Sequence, residues 1–298
     1  MSKEYRPTDI DRVAAEMEKL LAIEDASEQL AQTGFFIDQR TRQLSEQAVA
    51  VDIQVITGAE RGFIHPASWI YTSPLYPAFT VDDPEVYRTL FREFAEFSAV
   101  PELRWHTIDE LAKFAILRTL QSYFGNGCTT QETENKRDFY YMLHTRTAGN
   151  QFSIRNFKGA GIAACSEKAA VSQNLLAFLG YDTYLIPSTH CVFGVGSDPV
   201  SHLYNVFGDG FANFIFDPSN PGLVYNEQGK IIDFFPAIYP ISDRQFYRLM
   251  IGAGVVVEHQ DKVLRDDDRM EIKGTQKRGY AGPTVPMFMP DDPLRLHL

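Results

Sequence analysis

Three side chains have the types and the chain order needed for nucleophilic acyl transfer: Cys165, His202 and Asp217. In such chemistry a thiolate attacks a carbonyl carbon, an imidazole carries the thiol proton to the leaving group, and a carboxylate orients the imidazole. Cys165 opens a segment that reads as an amphipathic helix, within GIAACSEKAAVSQNLLAFLGYDTYLI (161–186). At a helix start, backbone N–H groups without an intrahelical acceptor and the helix dipole favour the thiolate, which is the nucleophilic form.

The elements that would carry these groups follow from apolar spacing. Over 165–179, Cys165, Ala169, Ser172, Leu176 and Leu179 recur at i, i+4, i+7, i+11 and i+14, so one helix face presents the cysteine to a sheet. Ala163, Ala164, Ala169 and Ser172 are small enough for close approach, and Gly180 is a natural helix stop. Glu167 favours the helix start but opposes a nearby thiolate. A buried structural cysteine would also face inward, so this orientation fits a packing residue as well as a nucleophile.

His202 and Asp217 come together through a hairpin. In SHLYNVFGDGFANFIFDPSNP (201–221), two runs of aromatic and β-branched residues flank Asp209-Gly210, a dipeptide suited to a two-residue type I′ turn. With that turn, opposed residue numbers sum to 419 and His202 lies directly opposite Asp217. Opposed Cβ atoms are roughly 4.5–5.5 Å apart, near enough for imidazole and carboxylate to bond. The carboxylate fixes the ring tautomer, favours its protonated form and leaves the other nitrogen for a third group. Such pairs are often structural, so the pair takes its meaning from Cys165.

The remaining candidates are weaker. Cys191 lies in the apolar run HCVFGVG and reads as core filler, while Cys128 sits in a polar loop with no histidine nearby in sequence. His190 follows a turn at Pro187-Ser188-Thr189 and has no aspartate in register. In GVGSDP (194–199), Pro199 stands where a dinucleotide loop needs its third glycine. RDDDR (265–269) lacks the alternating ligands of a calcium loop and reads as a solvated charge run.

The order Cys, His, Asp, with separations of 37 and 15 residues, resembles the transglutaminase-like superfamily, a circularly permuted relative of the papain-like fold. The resemblance rests on the cysteine segment, HLYNVF and FIFDPSNP, and covers about residues 150–222. It implies an α+β fold in which the helix bearing the cysteine packs on an antiparallel sheet, here behind a mostly helical N-terminal region. It further implies that Cys165 is the nucleophile, His202 the base and Asp217 the orienting group, acting through a thioester acyl-enzyme. An amine acceptor then gives transamidation or amide synthesis, and water gives deamidation or proteolysis. The upstream tryptophan of many transglutaminases has no clear counterpart, since Trp105 lies 60 residues before Cys165, and no animal-type calcium site is visible. The oxyanion donors expected instead are the Cys165 backbone N–H and a side chain from QFSIRN, Gln151 ahead of Asn156. Such a donor is worth about 3 kcal/mol when aimed at the developing charge. Arylamine N-acetyltransferases share the order but carry the cysteine much nearer the N-terminus. The competing reading is a noncatalytic binding module that retains the fold with an inert cysteine.

Composition sets the outer limits. The 298 residues, 44% hydrophobic and 22% charged, suffice for a full core. Lys and Arg number 28 against 39 Asp and Glu, and the net charge of -11 repels phosphates, so no nucleic-acid partner is expected. There is no apolar run of about 18 residues and so no membrane span, and the polar N-terminus lacks a secretory core, so cytoplasmic residence is expected. Three cysteines without a CxxC pair argue against a disulfide framework or a cysteine-rich zinc site, and neither cofactor nor metal is expected. The expected partner is a protein, peptide or acyl-thioester substrate, with a possible amine acceptor.

Along the chain, apolar periodicity predicts helices over about 10–20, from Pro84 through Phe94, and from the capping box at Thr107 to about Ser122. The aromatic and proline-rich segment 62–80 reads as an ordered loop forming a roof, and the polar stretch 124–137 as a boundary. Strands are expected at 181–186, 190–195, 202–207, 213–217 and 255–259, with a short helix near 243–250. The resulting division is a helical region 1–130, a catalytic core 131–264 and an extended tail 265–298.

Overall fold

The computed structural model describes residues 9–55, 64–65, 68–69, 78–81, 83–98, 108–125, 131–148, 151–193, 200–208, 212–219, 222–225, 231–235, 238–250, 255–258 and 277–280. Helix α1 (Asp9–Leu21) buries Ile10, Val13, Met17 and Leu20, the stripe its spacing predicts. The long helix α2 (Ala26–Val55) was not singled out by periodicity. The segment after it supplies three short strands, β1 (Ile64–His65), β2 (Ser68–Trp69) and β3 (Ala78–Thr80), where a loop was expected.

Helix α3 (Glu85–Ser98) begins where Asp83 caps it, its carboxylate accepting the Glu85 N–H at 3.1 Å. Val86, Tyr87, Leu90, Phe91 and Phe94 are buried along it. Helix α4 (Ile108–Phe124) packs against α3 and against the later helix that starts at Cys165, and Tyr123 near its end donates its hydroxyl to Asp83 at 2.8 Å. From Gln131, within the polar stretch 124–137, the chain forms helix α5 (Gln131–Ala148). Its inward side carries Tyr140 and Tyr141 onto Phe152 and Phe157, while Phe139, Met142 and Leu143 are exposed. With apolar residues on both sides, α5 lacks the single stripe that periodicity detects.

Strand β4 (Gln151–Ser153) pairs in parallel with β3, completing a four-stranded sheet in the order β1-β2-β3-β4. A 3-10 turn over Ile154–Phe157 then leads to helix α6 (Cys165–Leu179), and its limits match those read from sequence. The helix is buried nearly all round rather than amphipathic: only Cys165, Lys168 and Ala177 keep appreciable surface. Gly180 closes it in the left-handed conformation, φ 99°, with the Tyr181 N–H returning to the Leu176 carbonyl.

Strands β5 (Asp182–Phe193), β6 (Val200–Gly208), β7 (Asn213–Phe216), β8 (Gly222–Tyr225), β9 (Ile231–Phe235) and β10 (Ile238–Ile241) follow, then helix α7 (Asp243–Met250), β11 (Val255–Glu258) and β12 (Lys277–Tyr280). The two strands expected at 181–186 and 190–195 are one strand, β5, with an irregularity between Ser188 and Cys191 that absorbs the predicted turn. Six strands form an antiparallel sheet in the order β10-β7-β6-β5-β12-β11, and β8 pairs with β9 separately. The segment read as an extended tail thus supplies β12, inserted between β5 and β11.

One face of this sheet meets the helices. A continuous buried cluster runs from Ile10 and Met17 through Phe94, Phe124, Phe157 and Leu176 to Leu203, Phe207 and Phe216. The opposite face, with Tyr204, Val206, Ile215 and Tyr239, is covered by Phe246 and Leu249 of α7. The alternation along β6 therefore assigns odd residues to α6 and even ones, including His202, to the far face.

Candidate active site

The sequence-expected groups Cys165, His202 and Asp217 come together at the tip of α6. His202 Nε2 lies 3.0 Å from Asp217 Oδ1, with both residues buried. Nδ1 is thereby left for Cys165, whose thiol is hydrogen-bonded to the ring. The ring also stacks on Tyr204, centroids 6.0 Å apart, which holds it on the far face of the sheet. Cys165 comes from the other face. The backbone N–H of Leu203, on β6 beyond the last residue paired with β7, bonds the sulfur.

The route to the His–Asp pair differs from the expected hairpin. The paired residues of β6 and β7 are Asn205 with Phe216 through Gly208 with Asn213, so opposed numbers sum to 421. Four residues, 209–212, connect the strands instead of two; Asp209 and Gly210 lie outside the described residues. A shift of two keeps every side chain on its face, and Asp217 reaches His202 diagonally. The carboxylate is further held by the Ser219 N–H, 3.2 Å from the same Oδ1.

The charges reinforce one another. Burial lowers the basicity of His202 and is the largest single influence, but the charge and hydrogen bond of Asp217, then those of Cys165, reverse it and raise the pKa to about 10. Burial likewise pushes the Cys165 thiol up. The hydrogen bond and charge of His202, the Leu203 N–H and the charge of Arg137 outweigh it, and the net shift is downward. The arrangement therefore favours a thiolate beside an imidazolium.

Glu167, expected to oppose that thiolate, is fully buried and compensated. One carboxylate oxygen accepts the Ala164 N–H at 2.7 Å and the other is 3.0 Å from Arg137 Nη2, which also donates to Ser166 Oγ at 2.9 Å. Arg137 belongs to α5, and no spacing pattern in the sequence marks it; the one available hint was that a carboxylate buried in a helix start requires a cation.

A polar clamp sets the helix against the sheet. Gln173 donates to the Thr183 carbonyl at 2.8 Å and accepts from Thr183 Oγ1 at 3.1 Å and from Asn205 Nδ2 at 2.9 Å. Asn205 Nδ2 also donates to the Ala169 carbonyl at 3.2 Å. These bonds tie α6 to β5 and β6, so the register that places Cys165 beside His202 is fixed by directional contacts as well as by packing. None of these partners was anticipated from sequence.

Gln151 lies on β4 opposite Ala78, but its side chain falls outside the described residues. The same holds for the side chains of His190 and Cys191 on β5, and Trp105, Cys128, 194–199 and 265–269 lie outside entirely. Among the described residues no group of three or more His, Cys, Asp and Glu side chains is placed to hold a metal ion, and no helix is long and apolar enough to cross a membrane. Comparison with protein-family models, curated proteins and solved structures returns no match.

Proposed function

We propose that the chain is a cysteine-dependent acyl-transfer enzyme of transglutaminase-like kind, acting on an amide or thioester carbonyl. The observation that carries this reading is His202, held between the Cys165 thiol and the Asp217 carboxylate. The Cys165 thiolate attacks the carbonyl carbon, and the tetrahedral oxyanion is met by the Cys165 backbone N–H, with Gln151 as candidate side-chain donor. The His202 imidazolium gives its proton to the departing amine or thiol as the bond to carbon breaks, leaving a thioester on Cys165. An amine or water then attacks that thioester while His202 takes its proton, and the thiolate departs. An amine yields transamidation or amide synthesis; water yields deamidation or peptide cleavage. The expected substrate is a protein, peptide or acyl-thioester, and a thiol that must stay reduced suits the cytoplasm.

Intact-mass spectrometry after incubation with glutamine peptides and simple acyl thioesters tests the reading. An acyl adduct on Cys165, absent from Cys165→Ser, is the expected result. No adduct with any donor, together with a thiol that alkylates only near the ordinary value of about 8.5, would leave the noncatalytic binding module as the better account.

A further inference from the structure

We propose that Arg137 is a positioning residue of the site: by pairing with Glu167 it cancels a buried negative charge in the helix turn that carries Cys165. The inference rests on the acyl-transfer reading and adds a residue that the Cys, His, Asp order does not contain. Glu167 lies two positions after Cys165 and has no exposed side-chain surface. A carboxylate there serves the helix by accepting the Ala164 N–H, yet its charge repels a neighbouring thiolate.

The compensation comes from outside the cysteine's own element. Arg137 reaches across from α5 with Nη2 on Glu167 Oε1 at 3.0 Å and on Ser166 Oγ at 2.9 Å, gripping two consecutive residues of the first turn of α6. Its guanidinium lies over the Tyr141 ring at 4.7 Å, and the Tyr141 hydroxyl accepts from Nη2 at 3.3 Å, so the side chain is braced on its own helix. The charged side chains that act on Cys165 are His202 on β6 and Arg137 on α5, and each is paired with a buried carboxylate, Asp217 and Glu167 respectively. His202 with Asp217 and Arg137 with Glu167 form two pairs, the first bearing on the thiol through His202 and the second on the helix turn that carries it. Only the first can be read from the catalytic order.

If Arg137 acts through charge, its removal should be undone by removing the charge that it offsets. The rate of Cys165 alkylation by iodoacetamide is followed against pH in the wild type, Arg137→Met, Glu167→Gln and the double variant, with thermal unfolding recorded for each. Arg137→Met is expected to raise the midpoint of the alkylation profile by about 1 pH unit, as a newly uncompensated like charge does. Glu167→Gln should not raise it, and the double variant should return to within a few tenths of a unit of the wild type. A low wild-type midpoint that Arg137→Met leaves unmoved overturns this inference alone, as does a double variant no better than Arg137→Met. A wild-type midpoint in the ordinary thiol range, unaffected by His202→Ala, overturns the acyl-transfer reading and this inference with it. Should Arg137→Met fail to fold, Arg137→Lys supplies the comparison: retained charge keeps the midpoint low, and a midpoint as high as an ordinary thiol's refutes the electrostatic role.

Discussion

Asp217 holds His202 on a diagonal across the β6–β7 ladder, its Oδ1 3.0 Å from Nε2, because the strand pairing sets Tyr204 rather than His202 at its level. A diagonal contact is possible because Phe216 is the last paired residue of β7, and the Ser219 N–H bends the chain back onto the same carboxylate oxygen. The pair thus depends on where β7 ends as much as on the residue types.

Asp217→Asn keeps the shape but removes the charge that raises His202. The imidazolium should then persist over a narrower range, and the Asn amide can donate to Nε2, imposing the tautomer with its proton on Nδ1. For acylation, the wild type should show a bell-shaped pH profile whose alkaline limb lies near 10, the value to which His202 is raised. In Asp217→Asn that limb should move down, with a loss of at least about 10²-fold in rate at the optimum. An unshifted alkaline limb would assign it to another group.

The same proton couples folding to pH. His202 titrates at about 10 in the folded chain, above the 6.5 of an unperturbed histidine, so its contribution is full below about pH 6.5, declines as pH rises and is gone above about 10. Cys165, being lowered, contributes in the opposite sense, its share being lost as pH falls through its folded value. A Cys165→Ala background isolates the histidine. There Tm should fall more steeply between pH 7 and 10 than in the same background carrying Asp217→Asn; parallel curves would count against the pair as a source of stability.

Gln173→Leu tests the clamp between α6 and the sheet. It strips Thr183 and Asn205 of a buried partner, and a cost of about 2 kcal/mol is expected in urea unfolding. Because the clamp joins the elements that carry Cys165 and His202, alkylation of Cys165 at pH 7 should slow as well. Unchanged alkylation would show that packing alone aligns the two.

Phe178→Ala tests how far the N-terminal helices support the cysteine helix. Its fully buried ring contacts Phe36 of α2 and Tyr87 and Phe91 of α3, with centroids 5.8, 4.9 and 6.4 Å away. Truncation should cost about 3–5 kcal/mol in urea unfolding. A loss below 1 kcal/mol would mean that these helices collapse readily around the gap.

The limits of α6 were legible because Gly180 and the small residues before Cys165 punctuate the chain, and those of α7 and β11 nearly so. The placement of Asp217 on the face of His202 was legible for a reason unlike the one argued: the turn is longer than Asp209-Gly210 suggests, and an even register shift conserved the result. Helix α5 escaped because its buried contacts come from aromatic and charged side chains, Tyr140, Tyr141 and Arg137, on an otherwise polar surface. Strand β12 escaped because four residues, KRGY, gain a strand identity only from neighbours distant in sequence. Partners such as Arg137 with Glu167 or Asn205 with Gln173 are tertiary meetings that no local pattern encodes.

Enclosure of α6 on nearly every flank separates fixed from adjustable parts of the molecule. The helix cannot shift without opening the core, so on the acyl-transfer reading its leading end acts as an anvil. On the acyl-transfer reading, selectivity then belongs to the chain that rims the first turn, and that rim is where libraries of variants should be aimed.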